Sequence, residues 1–200
     1  MNLFLTEGFA KTSLVTALRL ATAIMHNYAL CIPKEMWEED PKHYTGGPFG
    51  PVQHLLHVTT AEIFFRNWLS DRTLGTNFFR LPGAMREAME MDFVDKQQRL
   101  ASINQQFVIL AKKGFSSLDD LIDKFNVTRH ETVTLLNRIH DSQLQQKAAH
   151  PITNQGGTLG TVCYMIFATH VQEHAFTLKS KLIIQRGIRP PSIYYDDAST

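Results

Sequence analysis

The feature that most constrains this chain is the helical spacing of its apolar residues. Between residues 9 and 30 they recur every three or four positions, at Leu14, Leu18, Ala21, Ile24, Met25 and Tyr28. This spacing places them on one face of an α-helix. Similar patterns predict further helices over about 52–69, 96–113, 117–146 and 158–185. No segment shows convincing strand alternation, so we expect an all-α fold.

Loops rich in proline and glycine separate these helices. Residues 33–51 contain four prolines and three glycines, and residues 150–157 form a second such loop. Residues 70–95 are mixed, and with the helix after them they exceed what a short connection needs. We therefore predict a four-helix bundle with an inserted helical crossover between helices 2 and 3. The length favours one domain over residues 1–200.

Two local signals predict helix starts in the second half of the chain. Ser117 precedes Leu118 and two aspartates, as an N-cap does before an acidic first turn. The stretch from Thr128 to Glu131 fits a capping box, which would allow a restart within the 117–146 helix. In the tail, Tyr194 and Tyr195 carry enough apolar area to favour folding back over the bundle.

Charge and cysteine content exclude several function classes. The chain has 20 Lys+Arg against 19 Asp+Glu, a net charge of +1, and no basic footprint for nucleic acid. No apolar run approaches the ~20 residues of a transmembrane helix, and the N-terminus lacks a signal-peptide pattern. Cys31 and Cys163 form neither a disulfide framework nor a CxxC motif, and Cys163 fits a small core residue. We expect a cytoplasmic protein with no nucleic-acid or membrane partner.

The histidines carry the clearest chemical signal. His170 and His174 are four residues apart, so they lie on one helix face, where two imidazoles can share a metal ion. The alternative is a pair of polar side chains at the edge of the core, each bonded to a carbonyl or water. The usual nucleotide, metalloprotease and hydrolase motifs are missing from the sequence.

A third ligand is available on the second helix. His57 shares a face with Ala61, Phe64 and Trp68, so we expect it to point inward. His54 lies on a neighbouring line and could instead be exposed. The alternative for both is a pair of interfacial histidines. The other histidines, among them His130, His140 and His150, are predicted to be structural.

Three stretches together resemble the DinB/YfiT-like superfamily over roughly residues 8–195. The first runs from His54 to Glu62, with an acidic residue five positions after a histidine. The second joins the Gly156–Gly160 segment to His170 and His174. The third is the Gly187–Pro191 helix exit. The specificity lies in the order and spacing of these short motifs.

This resemblance implies a four-helix bundle, often dimeric, with one divalent metal ion held by three histidines. Carried over by position, these are His57, His170 and His174, because Glu62 at +5 favours His57 over His54. Activities in the superfamily include thiol-dependent S-transferases and isomerases acting with low-molecular-weight thiols. A small-molecule substrate and a homodimer are therefore expected. The sequence after the last histidine, Ala175-Phe176-Thr177, departs from the family pattern and leaves the substrate subgroup unassigned.

Three neutral imidazoles leave coordination positions open, which is typical of catalytic metal sites. A metal there, zinc or nickel, would activate a thiol or water, so we expect a thiol S-transferase or a hydrolase. The alternatives are a non-catalytic metal-binding or stress-response protein, and a helical interaction module whose histidines never meet. Glu62 is expected to orient an imidazole from the second coordination shell, and Glu173 to be a solvated or second-shell carboxylate.

Overall fold

The structure, a computed structural model, describes residues 10–40 and 49–188. This part of the chain is mostly helical, as predicted. Six helices precede the C-terminal region: α1 (Lys11–Ala29), α2 (Pro51–Leu74), α3 (Gly83–Met89), α4 (Phe93–Lys112), α5 (Leu118–Arg138) and α6 (Asp141–Leu144). A short 3₁₀-helix covers Lys34–Glu38. The predicted placement of Tyr194 and Tyr195 lies outside the described residues.

The last helix is built from four consecutive segments. They are α7 (Leu159–Tyr164), a π-helical segment (Met165–Thr169), α8 (His170–Lys179) and a second π-helical segment (Ser180–Ile184). We call residues 159–184 the C-terminal helix. It begins where the Thr158 side chain accepts a hydrogen bond from the Thr161 amide, as expected for an N-cap.

A small antiparallel sheet precedes this helix. Strand β1 (Lys147–Ala149) pairs with β2 (Gly156–Thr158), with Ala148 opposite Gly157. The expectation of no strand is therefore wrong at this point. Three-residue strands are too short to show the alternation by which strands are read from sequence. Between them, the His150 amide donates to the Gln155 carbonyl at 2.9 Å and closes the loop.

Helix α5 confirms one predicted start and contradicts the other. Ser117 caps it, since its hydroxyl accepts from the Asp120 amide at 3.1 Å. The helix does not restart at Thr128, which is fully buried in its middle. The buried face continues from Phe125 to Leu135, and this packing overrides the local capping signal. The helix also ends earlier than predicted, and α6 follows as a separate turn.

Two buried apolar clusters show how the long helices pack. The first joins the later part of α1, the early parts of α2 and α5, and the later part of the C-terminal helix. The second joins the opposite ends of the same four helices. Helix α1 and the C-terminal helix therefore run in one direction, and α2 and α5 run in the other. Helices α3 and α4 lie in the connection from α2 to α5, and α4 packs against α2.

A buried ion pair lies near the middle of these helices. Arg129 of α5 donates to the Glu62 carboxylate of α2 at 2.7 Å, and both side chains are almost inaccessible to solvent. Arg129 also donates to the Leu18 carbonyl and the Thr22 hydroxyl of α1, at 3.0 and 2.8 Å. One guanidinium group thus joins α1, α2 and α5.

Two further observations concern the burial of Cys163 and the length and polarity of the helices. Cys163 is fully buried in the second cluster, and burial raises the pKa of its thiol, so it is a core residue as predicted. Among the described residues, every helix is too short or too polar to cross a bilayer.

Candidate metal centre

The structure brings His57, His170 and His174 together between α2 and α8. Each ring offers one nitrogen, and these three atoms all lie within 4.8 Å of one another. His57 Nε2 and His170 Nε2 face each other at 3.1 Å. The ring centroids of His57 and His170 are each 4.7 Å from that of His174. The three residues carried over from the family resemblance therefore form one cluster.

This spacing fits a shared metal ion. With Zn–N bonds of about 2.0–2.1 Å, two nitrogens of a tetrahedral site lie roughly 3.3–3.4 Å apart. The 3.1 Å between His57 Nε2 and His170 Nε2 is close to that value. The imidazoles come from two helices that pack against each other in the first apolar cluster, so the arrangement does not depend on a loop.

His54 joins the cluster from one turn earlier on α2. Its side chain is buried, and its Nδ1 lies 2.8 Å from His174 Nδ1. The sequence left its orientation open, and the structure turns it inward. If His174 presents Nε2 to a metal, its Nδ1 carries the proton and donates to His54. His54 then holds its own proton on Nε2, which is buried and has no hydrogen-bond partner among the described residues.

Phe49 covers these imidazoles at the start of α2. Its ring centroid lies 5.2 Å from that of His57, 5.6 Å from His54 and 6.3 Å from His174. The Phe49 ring is itself buried in the first apolar cluster. The cluster therefore has an apolar cover on this side, which limits the access of water.

Burial keeps the histidines neutral. It lowers the pKa of His57 to about 4 and, with nearby positive charge, the pKa of His54 and His170 to about 3. The pKa of His174 is lowered as well, first by burial and then by the neighbouring imidazoles. Neutral imidazole is the form that ligates metal. The ring nitrogens are therefore available at neutral pH.

Glu62 was predicted to orient an imidazole, but in the described part of the chain its carboxylate makes no hydrogen bond to one. One carboxylate oxygen accepts from Arg129, and the other has no hydrogen-bond partner in the described chain. Burial raises the pKa of Glu62, and the Arg129 charge opposes that shift. Arg129 also lowers the pKa of His170. Glu62 is therefore linked to the site through Arg129. Glu173 is exposed, in agreement with a solvated carboxylate.

Arg129 and His150 lie near the site but were not predicted to belong to it. Arginine on a helix usually points to solvent, but Arg129 lies on the same face as Phe125, Thr132 and Leu136, and this spacing was an available signal. His150 follows β1, and the loop that folds it toward α2 leaves no helical pattern to read.

A cavity of about 610 Å³ adjoins the histidines. His57 and His170 form part of its wall, and α2, α4 and the loop after β1 supply most of the rest. Phe107 and Leu110 of α4 line it and remain exposed, so the cavity meets solvent beside α4. A volume of this size is in the range of small-molecule sites.

Comparisons with known proteins leave the family unassigned. No family model, curated protein or solved structure matches the chain. Membership of the DinB/YfiT-like superfamily therefore stays a proposal, and the geometry of the histidine site is what supports a function.

Proposed function

We propose that this protein is a metal-dependent enzyme with a mononuclear site formed by His57, His170 and His174. Zinc or nickel is the proposed ion, and a thiol S-transferase or hydrolase is the proposed activity, as in the DinB-like type. The observation that carries this proposal is the convergence of three neutral ring nitrogens within 4.8 Å. A divalent ion there would lower the pKa of a thiol or water beside it, which makes a nucleophile available at neutral pH.

The surroundings support a catalytic site over a structural one. Structural zinc sites are closed by four protein ligands, whereas catalytic sites keep a position open. Within residues 10–40 and 49–188, no carboxylate or thiol joins the three histidines. The cavity reaches His57 and His170, so a small molecule has access to the open side.

The remaining side chains have separate proposed roles. His54 fixes the tautomer and orientation of His174 by the contact between their Nδ1 atoms. Phe49 excludes water from the histidine cluster. Arg129 and Glu62 join α5 to α2 behind the site and hold α2, which carries His57, in place.

The helix directions support the finer architecture that was predicted. We propose a four-helix bundle of α1, α2, α5 and the C-terminal helix, with α3 and α4 as the crossover. Because α2 and α5 run in the same direction, the chain must return along the bundle between them, and α3 and α4 lie in that connection. A homodimer is proposed on the family resemblance alone, and a cytoplasmic location on the cysteine content of the sequence.

Metal content tests the site. Protein purified without a His tag is dialysed against zinc or nickel, and the bound metal per chain is measured for the wild type, His170→Ala and His130→Ala. His130 is an exposed histidine of α5 and serves as the matched control. We expect one ion in the wild type and the control, and none in His170→Ala. A wild type without metal would contradict the proposal.

A thiol titration separates the two reactions. Cobalt(II)-loaded protein is mixed with 2-mercaptoethanol, and the near-ultraviolet absorption of a sulfur-to-cobalt bond is recorded. A new band supports the thiol transferase, because the thiol then occupies the open position. Cobalt that binds without a thiol band favours the hydrolase. Cobalt binding without turnover of any thiol, ester or amide substrate would point to a non-catalytic metal-binding protein.

A further inference from the structure

The cavity beside the histidines has a mostly apolar wall, to which Phe64, Met85 and Leu100 contribute. Its polar side chains other than the histidines are uncharged: Thr60, Gln97, Asn104 and Thr153. None of the described lining residues is an aspartate, glutamate, lysine or arginine. Moving an unpaired charge into such surroundings is costly, because its hydration is lost without compensation. The cavity therefore selects against ligands that carry a charge on their body.

His150 supplies a directed hydrogen-bond donor in this wall. Its Nδ1 accepts from the amides of Ile152 and Thr153, both at 3.1 Å. Two donors on Nδ1 require that nitrogen to be unprotonated, so the neutral ring carries its proton on Nε2. No described residue bonds this Nε2. Burial lowers the pKa of His150 to about 4, in agreement with a neutral ring.

The position of the His150 ring is held by its neighbours. The ring lies edge-on to Phe65, with 5.2 Å between the centroids. The β1–β2 pairing and the bond from the His150 amide to Gln155 close the loop behind it. The donor is therefore pre-positioned, and a ligand oxygen would not have to reorganise the loop to reach it.

We propose that the cavity binds a small molecule with an uncharged, apolar body and one carbonyl oxygen that accepts a hydrogen bond from His150 Nε2. The carbonyl end then faces His57 and His170, and the apolar body extends toward α4. A reaction at the carbonyl group rests on the proposed metal site, whereas binding of the ligand does not. A carbonyl polarised by a neutral donor is the group that a thiol or water attacks.

The uncharged cavity wall limits which thiols can enter the cavity. A thiol that carries several carboxylates finds no cation in the described cavity wall to pair with them. Such a thiol would have to approach the metal from outside the cavity. The apolar volume is assigned to the electrophile instead.

Ligand charge is tested with a matched pair of ketones. The full-length protein, with and without zinc, is titrated calorimetrically with 4-phenylbutan-2-one and with 4-(3-oxobutyl)benzoate. The second compound differs by one carboxylate on the ring. We expect it to bind at least about tenfold more weakly, because the apolar wall removes part of the hydration of the carboxylate and the described lining offers no cation to pair with it. Equal affinity for the two ketones, or no binding of the uncharged one, would overturn the proposal.

The location is tested with two tryptophan substitutions. Ala61→Trp fills the cavity from α2, where Ala61 is partly buried, whereas Ala23→Trp adds the same side chain to an exposed position on α1. We expect Ala61→Trp to abolish ketone binding and Ala23→Trp to leave it unchanged. Ketone binding that survives Ala61→Trp would place the ligand elsewhere and contradict the proposal.

The role of His150 is tested by removing the acceptor from the ligand and the donor from the protein. In 2-methyl-4-phenylbut-1-ene, a methylene group replaces the carbonyl oxygen of the ketone. We expect the wild type to prefer the ketone over this alkene, and His150→Asn to lose that preference. Asparagine can keep the loop, since its side-chain oxygen accepts from amides two and three residues on. Its NH2 group then takes the place of the ring Cδ2, one bond short of the position of His150 Nε2. An unchanged preference in His150→Asn, while alkene binding shows an intact cavity, would overturn the assignment.

These measurements are separable from the metal proposal. Ketone binding without zinc requires only the cavity and His150. Protein that binds the ketone but no metal would retain this inference and contradict the proposed function. Protein that binds zinc but prefers neither ketone would do the reverse.

Discussion

At the scale of single residues, the site consists of polar side chains in a buried region, where the loss of hydration destabilises them unless they find partners. Four imidazoles lie against one another beneath Phe49, and burial keeps them neutral. A neutral ring still needs partners for its nitrogens, and His54 and His57 find them in His174 and His170. The same clustering that makes the rings expensive as charged groups makes them suitable as metal ligands.

The buried histidines predict a loss of stability in mild acid. Their pKa values in the folded metal-free protein, about 3 to 4 for His54, His57 and His170, lie below the usual value of 6.5. Between pH 6.5 and about 4 the unfolded chain therefore binds more protons than the folded chain. The free energy of unfolding falls as the pH falls through this range. Each such histidine contributes up to about 1.4 kcal/mol per pH unit.

Urea unfolding at pH 7, 6 and 5, with a chelator present, measures this effect. We expect His54→Phe to flatten the pH dependence, because one titrating group is removed and the ring volume is kept. An unfolding free energy that stays constant from pH 7 to 5 in the wild type would show that these rings take up protons in the folded state as readily as in the unfolded chain, which contradicts the lowered pKa values.

The ion pair of Arg129 and Glu62 predicts a large effect of a single substitution. Arg129→Met leaves the Glu62 carboxylate buried without its partner, and breaking such a pair costs about 3–5 kcal/mol. Arg66→Met removes the same charge from the more exposed pair with Glu131 and should cost about 1 kcal/mol or less. Urea unfolding at pH 7 compares the two variants. Similar losses in both would show that burial does not set the strength of the Arg129 pair.

At the scale of elements, the site depends on how two helices present their histidines. α8 carries His170 and His174 one turn apart on a single face, directly after the π-helical segment Met165–Thr169. π-helical turns are frequent at functional sites because they rotate the following residues relative to a regular helix. Helix α2 supplies the opposing His54 and His57. Helix α4 adds no ligand and instead forms the outer wall of the cavity.

The start of α5 offers a local test of element stability. Ser117→Ala removes the hydroxyl that accepts from the Asp120 amide and should cost about 1 kcal/mol of unfolding free energy. Ser117→Asp retains an acceptor and should stay close to the wild type. Thermal unfolding monitored by circular dichroism distinguishes the two. Equal midpoints for Ser117→Ala and Ser117→Asp would contradict the capping role.

The helices of this protein can be predicted from the sequence where one face is buried and the apolar spacing continues over several turns. The first, second and last helices, and Ser117 as a cap, follow from apolar spacing and local hydrogen bonding. The β1–β2 pair, α3 and the early end of α5 do not, because they depend on contacts between distant residues. The same holds at the site: His170 and His174 share a helix face by spacing alone, but the inward turn of His54 and the Arg129–Glu62 pair arise from packing across helices.

At the scale of the whole molecule, two apolar clusters fix the helices and the polar groups lie between and beside them. The clusters hold α1, α2, α5 and the C-terminal helix at both ends. The histidines, the Arg129 pair and the cavity occupy the space that the apolar contacts leave. A ligand that joins α2 to α8 should therefore stabilise all four of these helices against unfolding.

Zinc is expected to raise the unfolding temperature of the wild type. An ion that binds only the folded chain, at a free concentration 100 times its dissociation constant, adds about 2.7 kcal/mol to the unfolding free energy. His170→Ala should lose most of this increase, and His130→Ala should keep it. Magnesium, which prefers oxygen ligands, should have no effect on any of the three proteins. The same shift in His170→Ala as in the wild type would place the zinc elsewhere.

The most direct test of the central claim is X-ray absorption at the zinc edge of the zinc-loaded protein. The account predicts three imidazole nitrogens at about 2.0–2.1 Å, with the scattering pattern of their rings, and one further oxygen or nitrogen. His174→Ala should lose one imidazole contribution. A spectrum with only the oxygen shell of hydrated zinc, or with sulfur ligands, would contradict a metal site formed by His57, His170 and His174.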